Sequence, residues 1–157
     1  MKLCLLFVGK TDADYIKKGY EVYEKRLSHY LPSETIVIPD LKKVKSLSEN
    51  QQKELEGQAI LNQLKPTDKL VLLDEKGKDF TSIKFAEFMQ KEMNAGLKRL
   101  VLVIGGPYGF SDAVYQKAQG KISLSKMTFS HQMVRMFLIE QVYRAMTILK
   151  NEPYHHE

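Results

Sequence analysis

The 157-residue chain is poor in the features that tie a protein to the cell exterior or to a membrane. It has one cysteine, Cys4, so no internal disulfide can form. A lone thiol in an apolar strand pattern fits a reducing cytoplasm. After Lys2 the apolar stretch from Leu3 to Val8 is too short for a secretory h-region, and no stretch approaches transmembrane length. These absences predict a cytoplasmic protein with no membrane partner. Internal repeats, low-complexity tracts and linker-length breaks are also missing, which predicts one domain over residues 1–157. Hydrophobic residues make up 43% and charged residues 27%, a globular balance that excludes disorder.

Standard phosphate cradles are missing too. Gly9-Lys10-Thr11 resembles the end of a P-loop, but the first glycine of that motif would fall at Cys4. Residues 5 to 8 read as a strand, so Gly9 is expected to serve a strand-to-helix turn. Gly106 and Gly109 do not complete G-x-G-x-x-G. A metal is not expected either, because His155, His156 and Glu157 on a frayed terminus make a poor ligand set.

What is present is a positive balance and an alternation of strand and helix patterns. The net charge of +5 and pI near 9.1 permit a nucleic-acid partner without demanding one. The clusters Lys17-Lys18, Lys25-Arg26, Lys42-Lys43-Lys45 and Lys76-Lys78 read singly as solvated faces and turns. Strands are predicted at residues 3–8, 35–38, 70–73, 100–104 and 122–125. Asp12 is expected to cap a helix through Ser28, with Tyr15, Ile16, Tyr20, Tyr23 and Leu27 along one side. Ser48 and Gln51 have capping-box spacing for a helix carrying Leu55, Ala59, Ile60 and Leu64. The polar stretch 42–56 reads as a solvated connection, with a loop at a ligand or partner surface as the alternative. Phe85, Phe88, Met89 and Met93 mark another helix, closed near Gly96. A short helix is predicted from Ser111 to Gly120, and a long one from His131 to Lys150. Repeated βα units point to a parallel sheet flanked by helices.

The C-terminal third is the most informative region. Leu100-Val101-Leu102-Val103-Ile104 suits a buried parallel strand, and it ends in Gly105-Gly106-Pro107-Tyr108-Gly109. Ligands of α/β sheets bind beyond such strand ends, and paired glycines are expected to leave room for close main-chain contact. The final helix carries Met133, Val134, Met136, Phe137, Leu138, Ile139, Val142, Ala145 and Met146 over more than one stripe. Burial on two sides is therefore expected, which favours a homodimer over a central helix in a monomer.

Ile104-Gly105-Gly106-Pro107, Leu124-Ser125-Lys126-Met127-Thr128-Phe129, His131-Gln132-Met133-Val134-Arg135, Glu140 to Ala145 and the tail Pro153-Tyr154-His155 closely resemble the ribosomal large-subunit methyltransferase H family. These are knotted SPOUT methyltransferases, and the resemblance covers the whole chain. It implies N3-methylation of a pseudouridine in 23S rRNA of the assembled ribosome, with S-adenosylmethionine as donor. It also implies a C-terminal trefoil knot, which physical argument alone would disfavour because knots are very rare. The implied cofactor residues are Leu73, Gly105, Leu124, Ser125, Lys126, Met127, Thr128 and Phe129.

The tail, residues 151–157, is implied to cross to the partner's cofactor site. His155 is the favoured base for the imide proton, and Tyr154 would orient or stack on the target base. Arg144 would stabilise charge or contact phosphate, unless it only pairs with Glu140 across one helical turn. Arg135 carries a similar ambiguity, and His131 reads as structural or substrate-positioning. Many relatives have proline where this chain has Ser130, which can still cap the helix. Two other functions remain open: a non-catalytic nucleotide- or RNA-binding α/β protein, and a SPOUT methyltransferase acting on tRNA.

Overall fold

The computed structural model describes residues 1–41 and 46–156. Lys42, Lys43 and Lys45 of the basic cluster lie outside the described residues, as does Glu157. The elements run β1 (Lys2–Val8), α1 (Asp14–Leu27), β2 (Ser33–Ile38), α2 (Glu49–Leu61), β3 (Asp68–Asp79), α3 (Ser82–Asn94), β4 (Arg99–Ile104), α4 (Asp112–Lys117), β5 (Gly120–Ser123) and α5 (Met133–Leu149). The five strands form one sheet in the order β2-β1-β4-β3-β5, with every pairing parallel.

Strand alternation sends successive side chains to two separate cores. Leu3, Leu5 and Phe7 of β1 join Leu100, Leu102 and Ile104 of β4 beneath α1, α3 and α5. Cys4, Leu6 and Val8 join Val101, Val103, Leu70 and Leu72 on the opposite face, against α2 and α4. Both faces are covered, which is why β1 and β4 read as unbroken apolar runs. Cys4 is wholly buried, and burial pushes its thiol up to about 11.

Several local expectations change. Asp12 does not cap α1: the N-cap is Ala13 without a side-chain bond, and Gln132 Oε1 accepts from the Asp12 and Ala13 amides at 3.0 and 2.9 Å. Tyr15 faces solvent at 68% exposure, so the inward side of α1 is carried by Ile16 and Leu27 with the half-buried Tyr20 and Tyr23. The Ser48–Gln51 capping box forms and Ile60 is buried, but Leu55 is exposed and α2 also buries Gln52, Glu56 and Gly57. Residues 49–56 are therefore helix rather than a solvated connection. Gly120 opens β5 instead of closing α4, and β5 ends at Ser123. α5 starts at Met133, preceded by a turn in which Ser130 Oγ accepts from the Met133 amide at 3.2 Å.

β3 extends beyond the apolar run 70–73. It continues to Asp79 through an irregularity between Leu73 and Lys78, where it pairs with β5. Gly77 permits this close approach, since a Cβ there would lie 2.5 Å from the Ile122 carbonyl carbon. Arg135 ties α5 to the far end of β1. Its Nη2 donates to the Val8 carbonyl and its Nη1 to Thr11 Oγ1, both at 2.7 Å, and its guanidinium carbon lies 5.3 Å from the centre of the Phe7 ring. Arg135 thus belongs to the fold's interior rather than to an open surface.

At the opposite end of the sheet, Arg99 donates to Asp68, Glu34 and the Gln63 carbonyl. Burial pushes the Asp68 carboxyl up, but the Arg99 guanidinium and the Lys65 amide outweigh it and hold the group below its ordinary range. Glu34 is held low by Lys2 and then Arg99, against burial. Both groups bind fewer protons folded than unfolded, so their stabilisation is present above the unfolded pKa and is lost as pH falls. Chemical denaturation should therefore show stability declining below about pH 4. Asp68→Asn should cost about 3 kcal/mol at neutral pH by leaving Arg99 buried and under-paired, and should flatten the acid limb. An unchanged acid limb would remove this network from the pH response.

Candidate functional site

The middle of β3, at residues 73–76, and the loops beyond the C-terminal ends of β4 and β5 line a cavity of about 510 Å³, within the usual range for small-ligand sites. Leu73, Gly105, Leu124, Ser125, Lys126, Met127, Thr128 and Phe129 all line it. Segments separated by tens of residues meet here because β3 lies between β4 and β5. Half-buried Leu73, Leu124 and Phe129 with buried Ile104 supply apolar wall, while Met127, 77% exposed, stands at the mouth. Phe129 packs on Phe137 of α5 with ring centres 4.8 Å apart, which fixes one end of the 124–129 segment. Lys126 points outward, 3.9 Å from Asp79.

The glycine loop works differently from the expectation of open space. A Cβ on Gly105 would lie 2.9 Å from the Phe110 ring, and one on Gly106 would fall 2.0 Å from Glu56 Oε2. The room left by the two glycines is thus filled by the protein itself. Gly109 is the position that needs conformational freedom, with φ of +81° and a bridge back to Gly106. At Gly9-Lys10-Thr11, Gly9 has φ of +82°, the Asp40 carboxylate accepts from the Lys10 amide, and the Thr11 hydroxyl accepts from Arg135. That segment forms the strand-to-helix turn.

The cavity also takes in residues that the sequence reading passed over, notably Asp74, Glu75 and Tyr115, together with Lys76 and Tyr108. Tyr115 donates to Asp74 Oδ2 at 2.5 Å, and burial together with that carboxylate pushes its phenol up to about 12. Asp74 could have been found as the residue directly following the predicted strand 70–73; it lies within β3. Nothing in the sequence of α4 singles out Tyr115. His131 lines the cavity as well. The acidic groups suit a ligand with positive charge, and the apolar wall suits a flat heterocycle, so the donor set fits an adenosyl sulfonium compound.

Arg144, Tyr154 and His155 lie together elsewhere, and none of them lines the cavity of this chain. Arg144 Nε and Nη2 donate to Glu140 Oε1 at 3.1 and 2.6 Å, so the one-turn pair is present. Its Nη1 lies 3.3 Å from His155 Nδ1, and its guanidinium carbon is 4.7 Å from the centre of the Tyr154 ring. Tyr154 donates to Glu140 Oε1 at 3.0 Å, meets the Tyr23 hydroxyl at 3.3 Å and packs edge-on against Tyr143. Burial, then Tyr23 and Glu140, push its phenol up. Tyr30 donates to Glu152 in the same cluster. Arginine can only donate, so a hydrogen bond across this contact would have His155 Nδ1 as its acceptor. Among the described residues no group of three metal-ligating side chains assembles, and no helix is long and apolar enough to cross a membrane.

Comparison with known proteins adds independent findings. A family model described as "Predicted SPOUT methyltransferase" matches residues 1–155. The chain is 63% identical to ribosomal RNA large subunit methyltransferase H of Parabacteroides distasonis and 59% identical to the protein of that name from Flavobacterium johnsoniae. Both alignments cover 100% of each chain. A solved structure of a probable methylase family protein from Haemophilus influenzae matches with a TM-score of 0.57 at 10% identity. That match covers 95% of this chain and 66% of the other, and it speaks to the fold.

The packing of Phe110 over Gly105 yields a direct test of the cavity. Gly105→Val would drive a branched side chain into that ring and displace it, an overpacking change of about 1–3 kcal/mol. A folded variant, with Phe110 displaced, should bind an adenosyl ligand at least about tenfold more weakly, a loss of about 1.4 kcal/mol of binding free energy. Calorimetric affinity equal to that of the unmodified protein would remove this loop from the ligand site.

Proposed function

The chain belongs to the SPOUT methyltransferase family, and from that premise we propose that it methylates N3 of a pseudouridine in 23S rRNA on the assembled ribosome. S-adenosylmethionine, when bound, supplies a methyl group activated by the adjacent sulfonium. The observation that carries the reading is the cavity, into which every residue implied for the cofactor converges. The full-length relatives named for large-subunit rRNA methylation support the substrate class. The trefoil knot is part of the same reading. Its support is that segment 124–129 and the loop after β4 line one cavity.

Leu73, Ile104, Leu124 and Phe129 would hold the adenine, and the main chain of Gly105 and Gly106 would meet its polar edge. Aligning donor carbon with acceptor nitrogen supplies much of the rate in such a transfer. The N3 imide loses a proton as it gains the methyl group, and His155 in its neutral form would take that proton. Arg144 would stabilise negative charge developing on the base, and Tyr154 would hold the base flat. In the single chain Arg144 faces His155 Nδ1, and Tyr154 is engaged by Glu140 and Tyr23. The tail would therefore leave these contacts to act. Because the trio lies outside its own chain's cavity, we assign the protein as a homodimer in which each tail serves the partner's cofactor.

Labelled methyl transfer onto ribosomes lacking the modification, with mass mapping of the product nucleotide, tests the activity. Whole ribosomes should be methylated, whereas free tRNA should not; transfer to tRNA alone would reassign the substrate. Calorimetry with S-adenosylmethionine separates the enzyme from a non-catalytic RNA-binding relative. Light scattering should give a dimer throughout the micromolar range, and a stable monomer would defeat the trans arrangement. Deleting residues 153–157 should keep the dimer and most cofactor affinity but abolish transfer. At a cofactor concentration too low to load Gly105→Val, mixed dimers of that deletion with Gly105→Val should be more active than either parent, because the intact tail faces the intact cavity. Confirmed mixed dimers no more active than the parents would sink the exchange of tails.

A further inference from the structure

Helix α2 buries a polar face, against the usual pattern of an apolar stripe turned to the core. Gln52 and Glu56 are only 6% and 5% exposed, whereas Leu55 on the same helix faces solvent. Glu56 Oε1 accepts from Gln52 Nε2 at 2.7 Å, and Oε2 has no hydrogen-bond partner. The carboxyl sits directly on Gly106, where a Cβ would lie 2.0 Å from Oε2, 2.7 Å from Cδ and 2.8 Å from Oε1. The next residue, Gly57, meets Ser111 in the same way, with a Cβ position 2.2 Å from Oγ. That hydroxyl is also buried and without a partner. Residues 56 and 57 thus hold the loop after β4 near its start and at its end. Inside this clamp Phe110 covers Gly105, and Gly106 bridges to Gly109.

We infer that Glu56 is the positioning residue of the cofactor loop: its carboxyl, seated where a Gly106 side chain would be, holds residues 105–111 in the shape the cavity requires. The inference rests on reading that cavity as the cofactor site. Burial disfavours a charge on Glu56 and raises its pKa, the Gln52 amide opposes this, and Asp40 beyond β2 reinforces it. From α4 the neutral Ser111 faces the seam, and the loop from Gly105 to Phe110 carries no charged side chain. An acid whose folded pKa is raised stabilises the fold while protonated and loses that contribution as pH rises through the folded value. The loop should therefore be held at low pH and loosen as Glu56 ionises.

The test uses the full-length protein, with Glu56→Gln and Glu56→Ala beside it. Hydrogen exchange of the 105–111 amides, corrected for intrinsic rates and measured without cofactor, reads the loop itself. Calorimetry with S-adenosylmethionine reads the cavity. Both would run from about pH 5 to 9, the span over which buried glutamates titrate. The unmodified protein should lose loop protection and affinity as pH rises, by roughly tenfold for each 1.4 kcal/mol of linkage. Glu56→Gln, a neutral isostere, should keep both and lose the pH dependence, while Glu56→Ala should lack both at every pH.

If the alanine variant fails to fold, the glutamine profile alone decides. A flat profile in the unmodified protein, or a glutamine variant as poor as the alanine one, would overturn the inference. Unaltered protection and affinity in Glu56→Ala would overturn it as well. Absence of cofactor binding by the unmodified protein would instead defeat the cofactor reading, while the exchange data would still decide the role of Glu56 in the loop.

Discussion

The buried guanidinium of Arg135 is the contact on which the rest of the arrangement depends. A charge 98% removed from solvent is costly; here Nη2 and Nη1 bind the Val8 carbonyl and Thr11 Oγ1, the guanidinium lies over the Phe7 ring, and Nε is left without a partner. This one side chain joins α5 to the end of β1, across most of the sequence. Gln132, on the preceding turn, satisfies two amides at the entry to α1. With the start of α5 so placed, the segment joining it to β5 must run past the ends of β3 and β4. Residues 124–129 become cavity wall as a consequence, and Phe129 is held against Phe137.

How much of this could be read from the sequence differs between backbone pattern and side-chain partnership. The apolar runs of β1 and β4 announced a sheet covered on both faces, and the Ser48–Gln51 spacing announced a capping box that forms. Those signals are local. The capping of α1 was not legible, because its acceptor is Gln132 and not the nearby Asp12. The polar inner face of α2 was hidden for the same reason: Gln52 and Glu56 look like solvent residues until the glycine loop is seen against them. The extension of β3 to Asp79 was missed because its second half is charged and pairs only at the sheet edge with β5.

At the site the same division holds. The cofactor residues implied by the family resemblance come together in one cavity, whereas the meaning of its glycines did not follow from composition. Gly105 and Gly106 lack a side chain where Phe110 and Glu56 pack, and within this loop only Gly109 uses a left-handed backbone. The tail trio is also brought together, on a surface of aromatic and carboxylate groups formed by Tyr23, Tyr143 and Glu140. The polar groups of Tyr154 are thus satisfied on its own chain, so any relocation exchanges one set of partners for another and does not start from a free, solvated terminus.

The single thiol has a practical consequence of its own. Cys4 lies on β1, between β2 and β4, with no exposed surface and a pKa pushed up to about 11. The thiolate is the form that attacks electrophilic reagents, so labelling of the native chain must wait for the sheet to part. The rate of modification would then report openings of the central strands, separately from fraying of loops and tail. The molecule carries a built-in clock for its own core, read out at one atom.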